Sequence, residues 1–174
     1  MALISKYKNT ALLGMALVMF SLLSSCNFYK FSGTSIPAEV ETFSVGFFEN
    51  KATLVSPLLS QTLTEKLKQK FVSETNLSIV ETKGDFSFSG NIIGYTVTPV
   101  SAQNADNAQL NRLKIVVEVK LVSEVSPKNN FEQVFQNFQD FDASENFNDV
   151  EETLIDEITD MLVQSIFNKA AINW

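Results

Sequence analysis

Residues 112–122 have the sequence RLKIVVEVKLV, and apolar and polar side chains alternate along it with almost no break. The apolar set is Leu113, Ile115, Val117, Val119 and Leu121, and the polar set is Arg112, Lys114, Glu118 and Lys120. A period of two places the two sets on opposite faces of a strand. One face is therefore buried and the other is solvated, which is typical of antiparallel sheets.

Further strands are predicted on both sides of this segment, at Glu41–Phe47, Leu77–Val80, Asp85–Val100 and Phe131–Phe141. In the first of them, Phe43, Val45 and Phe47 share one face. In the long strand that ends at Val100, the apolar phase changes beside Gly90 and Gly94, which predicts a β-bulge or a strong bend. Turns are expected at residues 83–85 and 126–130, and a polar loop at residues 101–109.

Two amphipathic helices complete the predicted fold. Ser56 is suited to an N-cap and Pro57 to the first helical position, and an apolar residue then recurs at every fourth position from Leu59 to Phe71. The second helix is expected to begin with Asn148 as N-cap and Glu151 three residues later, and to run to about residue 170. The predicted class is α+β: a two-layer sandwich of two helices on a mostly antiparallel or mixed sheet of four to five strands.

The N-terminus has the pattern of a bacterial lipoprotein signal peptide. Two lysines precede an apolar run from Thr10 to Leu23, which at 14 residues is short for a membrane span. Leu23, Ser24, Ser25 and Cys26 follow as a lipobox, in which signal peptidase recognises the small residues and the thiol receives the lipid. The alternative is an ordinary secreted protein with a fortuitous cysteine after its signal.

Cys26 is the only cysteine, so no internal disulfide can form, and lipidation gives the leftover thiol a role. We therefore expect a signal peptide at 1–25, a lipidated tether at 26–38 and one α+β domain at 39–174. The expected covalent group is a diacylglyceryl and N-acyl lipid on Cys26, which anchors the chain to a membrane. Removing residues 1–25 changes the net charge from −7 to −9, which disfavours binding to nucleic acid.

Most catalytic arrangements are excluded by composition. The chain has no histidine, and its single cysteine is assigned to the lipid, which removes Ser-His-Asp, Cys-His and imidazole-zinc sites. Acid/base hydrolysis by late carboxylates such as Asp142 or Glu145 is the enzymatic reading that survives, and it has little support. The wider acidic cluster from Asp140 to Asp160 is either a cation or partner site or, more simply, a solvated face. No metal site is predicted, because EF-hand spacing is missing.

Arg112, Lys114 and Lys120 are the candidate binding residues, since strand spacing places them on the solvated face. They could contact a phosphate or sugar acid of a glycolipid, or a protein partner. The simpler interpretation is a face decorated with charge for solubility.

The chain also resembles the LptE family of lipopolysaccharide-assembly lipoproteins, in its Bacteroidetes-type form. The resemblance is carried, in order, by residues 31–37 (FSGTSIP), 59–61 (LSQ), 88–90 (FSG), 110–113 (LNRL), 154–158 (LIDEI), 166–170 (IFNKA) and 173–174 (NW). It implies a two-layer α+β fold without enzymatic activity. It also implies that the protein is a plug inside the large outer-membrane β-barrel of LptD and helps that barrel to assemble. The resemblance further implies a part in delivering lipopolysaccharide to the outer leaflet, which makes lipopolysaccharide a further expected ligand.

The resemblance implies attachment to the outer membrane, and no acidic run follows Cys26. In the hosts expected for this family such a run marks surface export, so we expect the domain to face the periplasm. A free, periplasm-facing lipoprotein module that binds a lipid or a glycan is the alternative function.

Overall fold

A mixed β-sheet and two helices make up residues 35–54, 56–100 and 109–172, which are the residues that the computed structural model describes. The chain divides into two units, Met1–Ser32 and Gly33–Trp174, and every described residue belongs to the second. The predicted signal peptide, the lipobox with Cys26 and almost all of the predicted loop at 101–109 lie outside the described residues.

The sheet contains six strands among the described residues, in the order β3-β1-β4-β5-β6, with β2 paired to β4 off this path. Their bounds are β1 Thr42–Val45, β2 Glu49–Asn50, β3 Ser78–Ile79, β4 Phe86–Val100, β5 Leu110–Val122 and β6 Phe131–Asp142. The short strands β1, β2 and β3 are joined to their neighbours in parallel, whereas β4, β5 and β6 form an antiparallel meander. The predicted α+β sandwich with a mixed sheet is confirmed. The predicted strand at Leu77–Val80 is present as the two-residue β3, and β2 is one strand more than the sequence predicted.

The alternation in β5 has the predicted effect. The five side chains of the predicted apolar face, from Leu113 to Leu121, are fully buried, while the side chains between them, Val116 included, are half-buried or exposed. The phase change in β4 is a β-bulge, because the register with β5 shifts between Ile92 and Gly94. Ile93 is the extra residue and is largely exposed, and Tyr95 returns to the buried face. The bulge lets one long strand keep its core face despite the slip in sequence period.

Helix α1 (Pro57–Glu74) and helix α2 (Phe147–Ala171) bury their apolar stripes on the same side of the sheet. Ser56 is the N-cap of α1 as predicted, although its side chain makes no capping hydrogen bond. The predicted N-cap of α2 is wrong. Asn146 caps the helix, and its side chain accepts a hydrogen bond from the backbone N–H of Asn148 at 3.2 Å.

The prediction for the first strand is wrong at its end. Strand β1 ends at Val45, and Phe47 is 62% exposed, whereas Phe48 is fully buried. The backbone N–H of Phe48 donates to the hydroxyl of Thr64 at 3.2 Å, and that hydroxyl donates to the carbonyl of Ser60 in α1. Thr64 of α1 therefore fixes the backbone that follows β1. This contact directs the side chain of Phe48, rather than that of Phe47, into the core.

The core between the two layers is centred on Phe71 of α1. Its ring centroid lies 5.5 Å from that of Phe43, 4.8 Å from that of Phe88 and 5.1 Å from that of Phe167. These tilted and edge-on pairs contribute about 0.5–1.5 kcal/mol each beyond the burial of their area. Because the cluster joins β1, β4 and both helices, it fixes the helices to one side of the sheet, and no helix among the described residues covers the other side.

Candidate functional site

The side of the sheet that neither helix covers is the candidate site, and we call it the outer face. It is formed by the side chains that alternate with the buried ones along β4, β5 and β6. Its members are Ser89, Asn91, Thr96, Thr98, Arg112, Lys114, Val116, Glu118, Lys120, Glu132, Val134, Gln136, Phe138 and Asp140. The structure therefore places all three predicted basic residues on one surface, although not in one cluster.

Arg112 is bound within the face. It stands opposite Asp140 across the β5–β6 ladder, and its Nε and Nη2 donate to the two carboxylate oxygens at 2.7 and 2.9 Å. The guanidinium also lies 3.7 Å from the ring centroid of Phe138. The hydrogen bonds from Arg112 hold the pKa of Asp140 below its usual range, and the same bonds raise the pKa of Arg112. This fork-to-fork pair keeps the guanidinium in one orientation.

Lys120 is paired more loosely. Its Nζ lies 3.2 Å from a carboxylate oxygen of Glu132, and both side chains are more than half exposed. Such a pair contributes roughly 0–1 kcal/mol, so a partner could replace it at little cost. Lys120 also lines an open cavity of about 350 Å³ together with Phe47, Glu49 and Glu118.

Lys114 differs from both neighbours, because it has no ion pair among the described residues. It stands opposite Phe138 on β6 and Thr96 on β4. With Arg112, Gln136 and Phe138 it lines a second open cavity of about 240 Å³. An ammonium group, an amide and an aromatic ring edge can together contact a carboxylate, a phosphate or a sugar hydroxyl. The assignment of these residues to binding stays a prediction.

The acidic residues at 140–160 do not converge. Asp156 and Asp160 of α2 both bind Lys66 of α1, with oxygens at 2.7 and 2.6 Å from its Nζ, and so link the two helices. Burial acts to lower the pKa of Lys66, but the hydrogen bonds to the two carboxylates raise it above its usual value. Within the part of the chain that the structure describes, no three acidic, histidine or cysteine side chains are grouped so as to hold a metal ion.

Asp142 and Glu145, the candidate hydrolytic carboxylates, stabilise the turn before α2. A carboxylate oxygen of Asp142 accepts hydrogen bonds from the backbone N–H and the hydroxyl of Ser144 at 2.8 and 2.6 Å. These bonds lower the pKa of Asp142, which opposes a role as a general acid. Glu145 in turn accepts from the backbone N–H of Asp142 at 3.3 Å.

Sequence reasoning missed the contributions of β6. The phase of residues 131–141 appeared mixed, because polar side chains such as Gln139 face the helix layer, where its amide donates to Glu157 at 2.6 Å. Phe138 and Asp140 therefore face outward beside the predicted basic residues. A hairpin turn at 126–130 predicts that β5 and β6 pair, but reflection about its centre would set Arg112 opposite Ser144 rather than Asp140. The register therefore could not be read from the predicted turn.

A two-layer α+β module with one uncovered, polar sheet face is the class that this fold and site define. No helix among the described residues is both long and apolar enough to cross a membrane. The chain belongs to the LptE lipopolysaccharide-assembly family, whose model matches residues 40–170. This family consists of non-enzymatic envelope lipoproteins, and its members act with LptD in lipopolysaccharide assembly.

Several solved structures are similar to this chain at low sequence identity. A protein of Xanthomonas campestris is 12% identical with a TM-score of 0.51, and the match covers 78% of this chain and 88% of that one. A minor lipoprotein of Acinetobacter baumannii is 14% identical with a TM-score of 0.48, covering 77% and 92%. Lipoprotein B of Nitrosomonas europaea is 16% identical with a TM-score of 0.45, covering 73% and 79%. No curated protein matches the chain in sequence.

Proposed function

We propose that this protein is a lipid-anchored subunit of the lipopolysaccharide translocon in the outer membrane. In this role it plugs a large β-barrel of the LptD type, assists its assembly and so supports insertion of lipopolysaccharide into the outer leaflet. The observation that carries the proposal is the extent of the family match, residues 40–170. That range begins two residues before β1 and ends near the close of α2, so it spans the whole two-layer domain.

The outer face has the chemistry that a plug requires. The lumen of a large barrel is polar, so a domain inside it needs a hydrated surface with groups that can form hydrogen bonds. Arg112, Lys114, Glu118, Lys120 and Glu132 supply such groups on one flat side of the sheet. Val134 and Phe138, which are 50% and 43% exposed, add apolar area that a barrel wall could cover. We infer that this face lies against the barrel.

The anchor is proposed to be the lipid on Cys26, after removal of residues 1–25 by signal peptidase at Leu23, Ser24 and Ser25. Residues 26–38 form the tether of the domain at 39–174. Ser35 lies at the domain, where its backbone N–H donates to the carbonyl of Ala171 at 2.6 Å. The residues between Cys26 and Ser35 reach at most about 30 Å when extended. The domain therefore stays close to the membrane, on its periplasmic side.

The competing function is a free lipoprotein that binds a lipid or glycan on its own. The feature that favours it is the open cavity beside Lys114, where a cation without an ion pair among the described residues lies next to Phe138. A carrier of acyl chains would instead need an enclosed apolar pocket. The cavity at Lys114 lies on an open sheet face and suits at most a headgroup, so the plug is the better supported function.

Co-purification tests the proposal. The full chain carries a C-terminal affinity tag, outer membranes are dissolved in mild detergent, and stoichiometric partners are identified by mass spectrometry. A Cys26→Ala variant is the matched control for membrane attachment. The proposal predicts one large β-barrel in equimolar amount with the wild-type chain. A lipoprotein that runs alone, monodisperse and with bound glycolipid would instead establish the free binding module.

A further inference from the structure

The two margins of the sheet differ sharply. One ends in β3, which is only two residues long. The other ends in β6, which pairs with β5 without interruption from Leu110↔Asp142 to Leu121↔Phe131 and leaves its second side unpaired among the described strands. A long unpaired strand presents a row of backbone donors and acceptors to any extended chain nearby.

Soluble proteins usually protect such an edge with proline, lysine, a bulge or a short strand. The sequence of β6 is FEQVFQNFQDFD, which contains no proline, lysine or arginine. Its register with β5 has no shift, in contrast to the bulge in β4. Proline, lysine, a bulge and a short length are therefore all missing as protection in β6, and its only charged side chains are acidic.

The direction of the backbone groups follows from one hydrogen bond. The N–H of Ala143 donates to the carbonyl of Gln109 at 2.9 Å, just beyond the end of the ladder. In an antiparallel pair, hydrogen-bonded and non-hydrogen-bonded residues alternate. The odd-numbered residues of β6 therefore bond to β5, and the even-numbered residues direct their N–H and C=O groups toward the open edge.

Two of the backbone N–H groups at this edge already donate hydrogen bonds to side chains. The outward N–H of Phe138 donates to the side-chain oxygen of Asn137 at 3.0 Å, and that of Asp142 donates to Glu145 at 3.3 Å. The N–H groups of Glu132, Val134 and Gln136 have no such acceptor among the described residues. Three successive outward donors are thus open at one end of β6, while the other end is partly closed by its own side chains.

We propose that the open edge at Glu132–Gln136 is a docking site for an extended polypeptide segment that carries lysine or arginine and pairs with β6 as an added strand. Backbone hydrogen bonds supply the affinity in this mode of recognition, and alternate side chains supply the selectivity. The selectivity for basic residues follows from charge, because all three charged side chains of β6 are acidic. Glu132, the one within the open stretch, is only loosely paired with Lys120, whereas Asp140 is already bound by Arg112.

A second copy of β6 fits this edge poorly. Antiparallel self-pairing centred on Val134 would set Glu132 opposite Gln136, so neither strand would supply a lysine or arginine to the carboxylate, whereas a basic segment would supply one. Val134 adds a half-exposed apolar side chain at the centre of the open stretch, where a partner strand can cover it. The proposal concerns this chain alone and holds whether or not its partner is a β-barrel.

Amide hydrogen exchange with a synthetic strand tests the proposal. The purified full chain is titrated with a capped heptapeptide in which lysine alternates with valine and threonine, and with the same peptide carrying glutamate in place of lysine. The lysine peptide should slow exchange of the Glu132, Val134 and Gln136 amides by about tenfold or more, as a new hydrogen bond requires. Amides already bonded to β5, such as those of Gln133 and Phe135, should change little.

Three variants separate the backbone from the side chain. Val134→Pro removes one outward N–H at a position where an edge strand tolerates proline, and should abolish protection. Val134→Thr keeps the N–H and should bind as the wild type does. Val134→Lys keeps the N–H but adds a like charge, so it should weaken binding of the lysine peptide, and it provides a test if the proline variant fails to fold.

Several results would overturn the proposal. These are an absence of protection by the lysine peptide, equal protection by the glutamate peptide, and unchanged binding to folded Val134→Pro. Protection that rises with protein concentration in the absence of peptide would assign the edge to a second copy of the chain instead.

Discussion

Arg112 and Asp140 face each other across β5 and β6 and are joined by two hydrogen bonds of 2.7 and 2.9 Å. Because this pair satisfies both groups, Arg112 is already committed within the protein. Lys114, two residues along β5, has no ion pair among the described residues. The three basic residues that the sequence groups together are therefore not equivalent, and Lys114 is the cation that a partner or ligand can engage without breaking an existing pair.

The first prediction concerns Lys114. Lys114→Ala should weaken binding to the partner barrel by about 10- to 150-fold, since a hydrogen bond to a charged group contributes about 1.5–3 kcal/mol. Stability should change by less than about 0.5 kcal/mol, because the side chain has no internal ion pair. Lys68→Ala on α1 is the matched control and should leave partner recovery unchanged. Quantitative co-purification measures the loss of binding, and chemical denaturation measures the change in stability. Equal losses for both variants would contradict a specific role of Lys114.

The second prediction concerns the pH dependence contributed by Asp85. One carboxylate oxygen accepts from the N–H of Glu41 at 3.0 Å, and from the N–H and hydroxyl of Thr42 at 2.9 and 2.8 Å. The bond from the Thr42 hydroxyl, followed by the two backbone bonds, lowers the pKa of Asp85 below its ordinary 3.8. A lowered pKa in the folded state means that this stabilisation is complete above about pH 4 and is lost as the pH falls through the folded-state value.

Asp85→Ala should therefore lower the melting temperature by a few degrees at pH 7, and the difference from wild type should shrink below pH 3.8. Thermal melts of the wild type and of Asp85→Ala between pH 7 and pH 2 measure this difference in melting temperature. Glu81→Ala, in the same surface region, is the control. A difference that stays constant down to pH 2 would show that the carboxylate is not the group responsible.

The third prediction concerns two glycines. A Cβ on Gly90 would lie 2.6 Å from the Phe48 ring and even closer to the backbone of Glu118, whereas a Cβ on Gly46 would meet its nearest atom at 3.4 Å. Gly90→Ala should destabilise the fold by about 1–3 kcal/mol through overpacking, and Gly46→Ala by less than about 0.5 kcal/mol. Urea denaturation distinguishes them, and similar stabilities would show that β4 can move away from β5.

The fourth prediction concerns the aromatic core. Phe71→Ala removes the ring that contacts Phe43, Phe88 and Phe167, so it should cost about 3–5 kcal/mol. Val72, the next residue of α1, is 53% exposed, and Val72→Ala should cost less than about 0.5 kcal/mol. The comparison is made by chemical denaturation, and a loss below 1.5 kcal/mol for Phe71→Ala would contradict its central place in the core.

The sequence predicts an element correctly where its periodic pattern extends over many residues, but it does not predict the residue at which the element ends. Residues 113–121 alternate over five buried positions, so their burial could be predicted with their face. Alternation alone did not show that β1 ends at Val45, because Phe47 and Phe48 are equally apolar. The contact of Phe48 with Thr64 decides between them, and that contact lies 16 residues away along the chain.

The predicted start of α2 is wrong for a similar reason. Asn146 and Asn148 are both acceptable N-caps, and Glu151 favours Asn148 by its spacing. In the fold, Glu151 accepts a hydrogen bond from the Tyr95 hydroxyl at 2.6 Å, and Phe147 packs on Phe141 with ring centroids 5.7 Å apart. Phe147 is the first residue of the helix, so the cap is Asn146, and Glu151 bonds to Tyr95 of β4.

The sequence predicts which basic residues share the outer face, but it does not predict which acidic residues they pair with. Strand spacing places Arg112, Lys114 and Lys120 on one side. Their partners on β6 depend on the register across the turn at Pro127–Asn129, which sequence spacing leaves open. The difference between the paired Arg112 and the unpaired Lys114 is therefore structural information.

Photocrosslinking from position 114 in living cells shows whether the outer face lies inside a β-barrel. A photoreactive amino acid replaces Lys114 in the full lipoprotein, and the crosslinked peptide is identified by mass spectrometry. If the outer face lies in the lumen, the adduct should join position 114 to lumen-facing residues of one large outer-membrane barrel of the LptD type. Adducts with glycolipid alone, with no barrel peptide in several independent preparations, would contradict this placement and identify this protein as a free binding module.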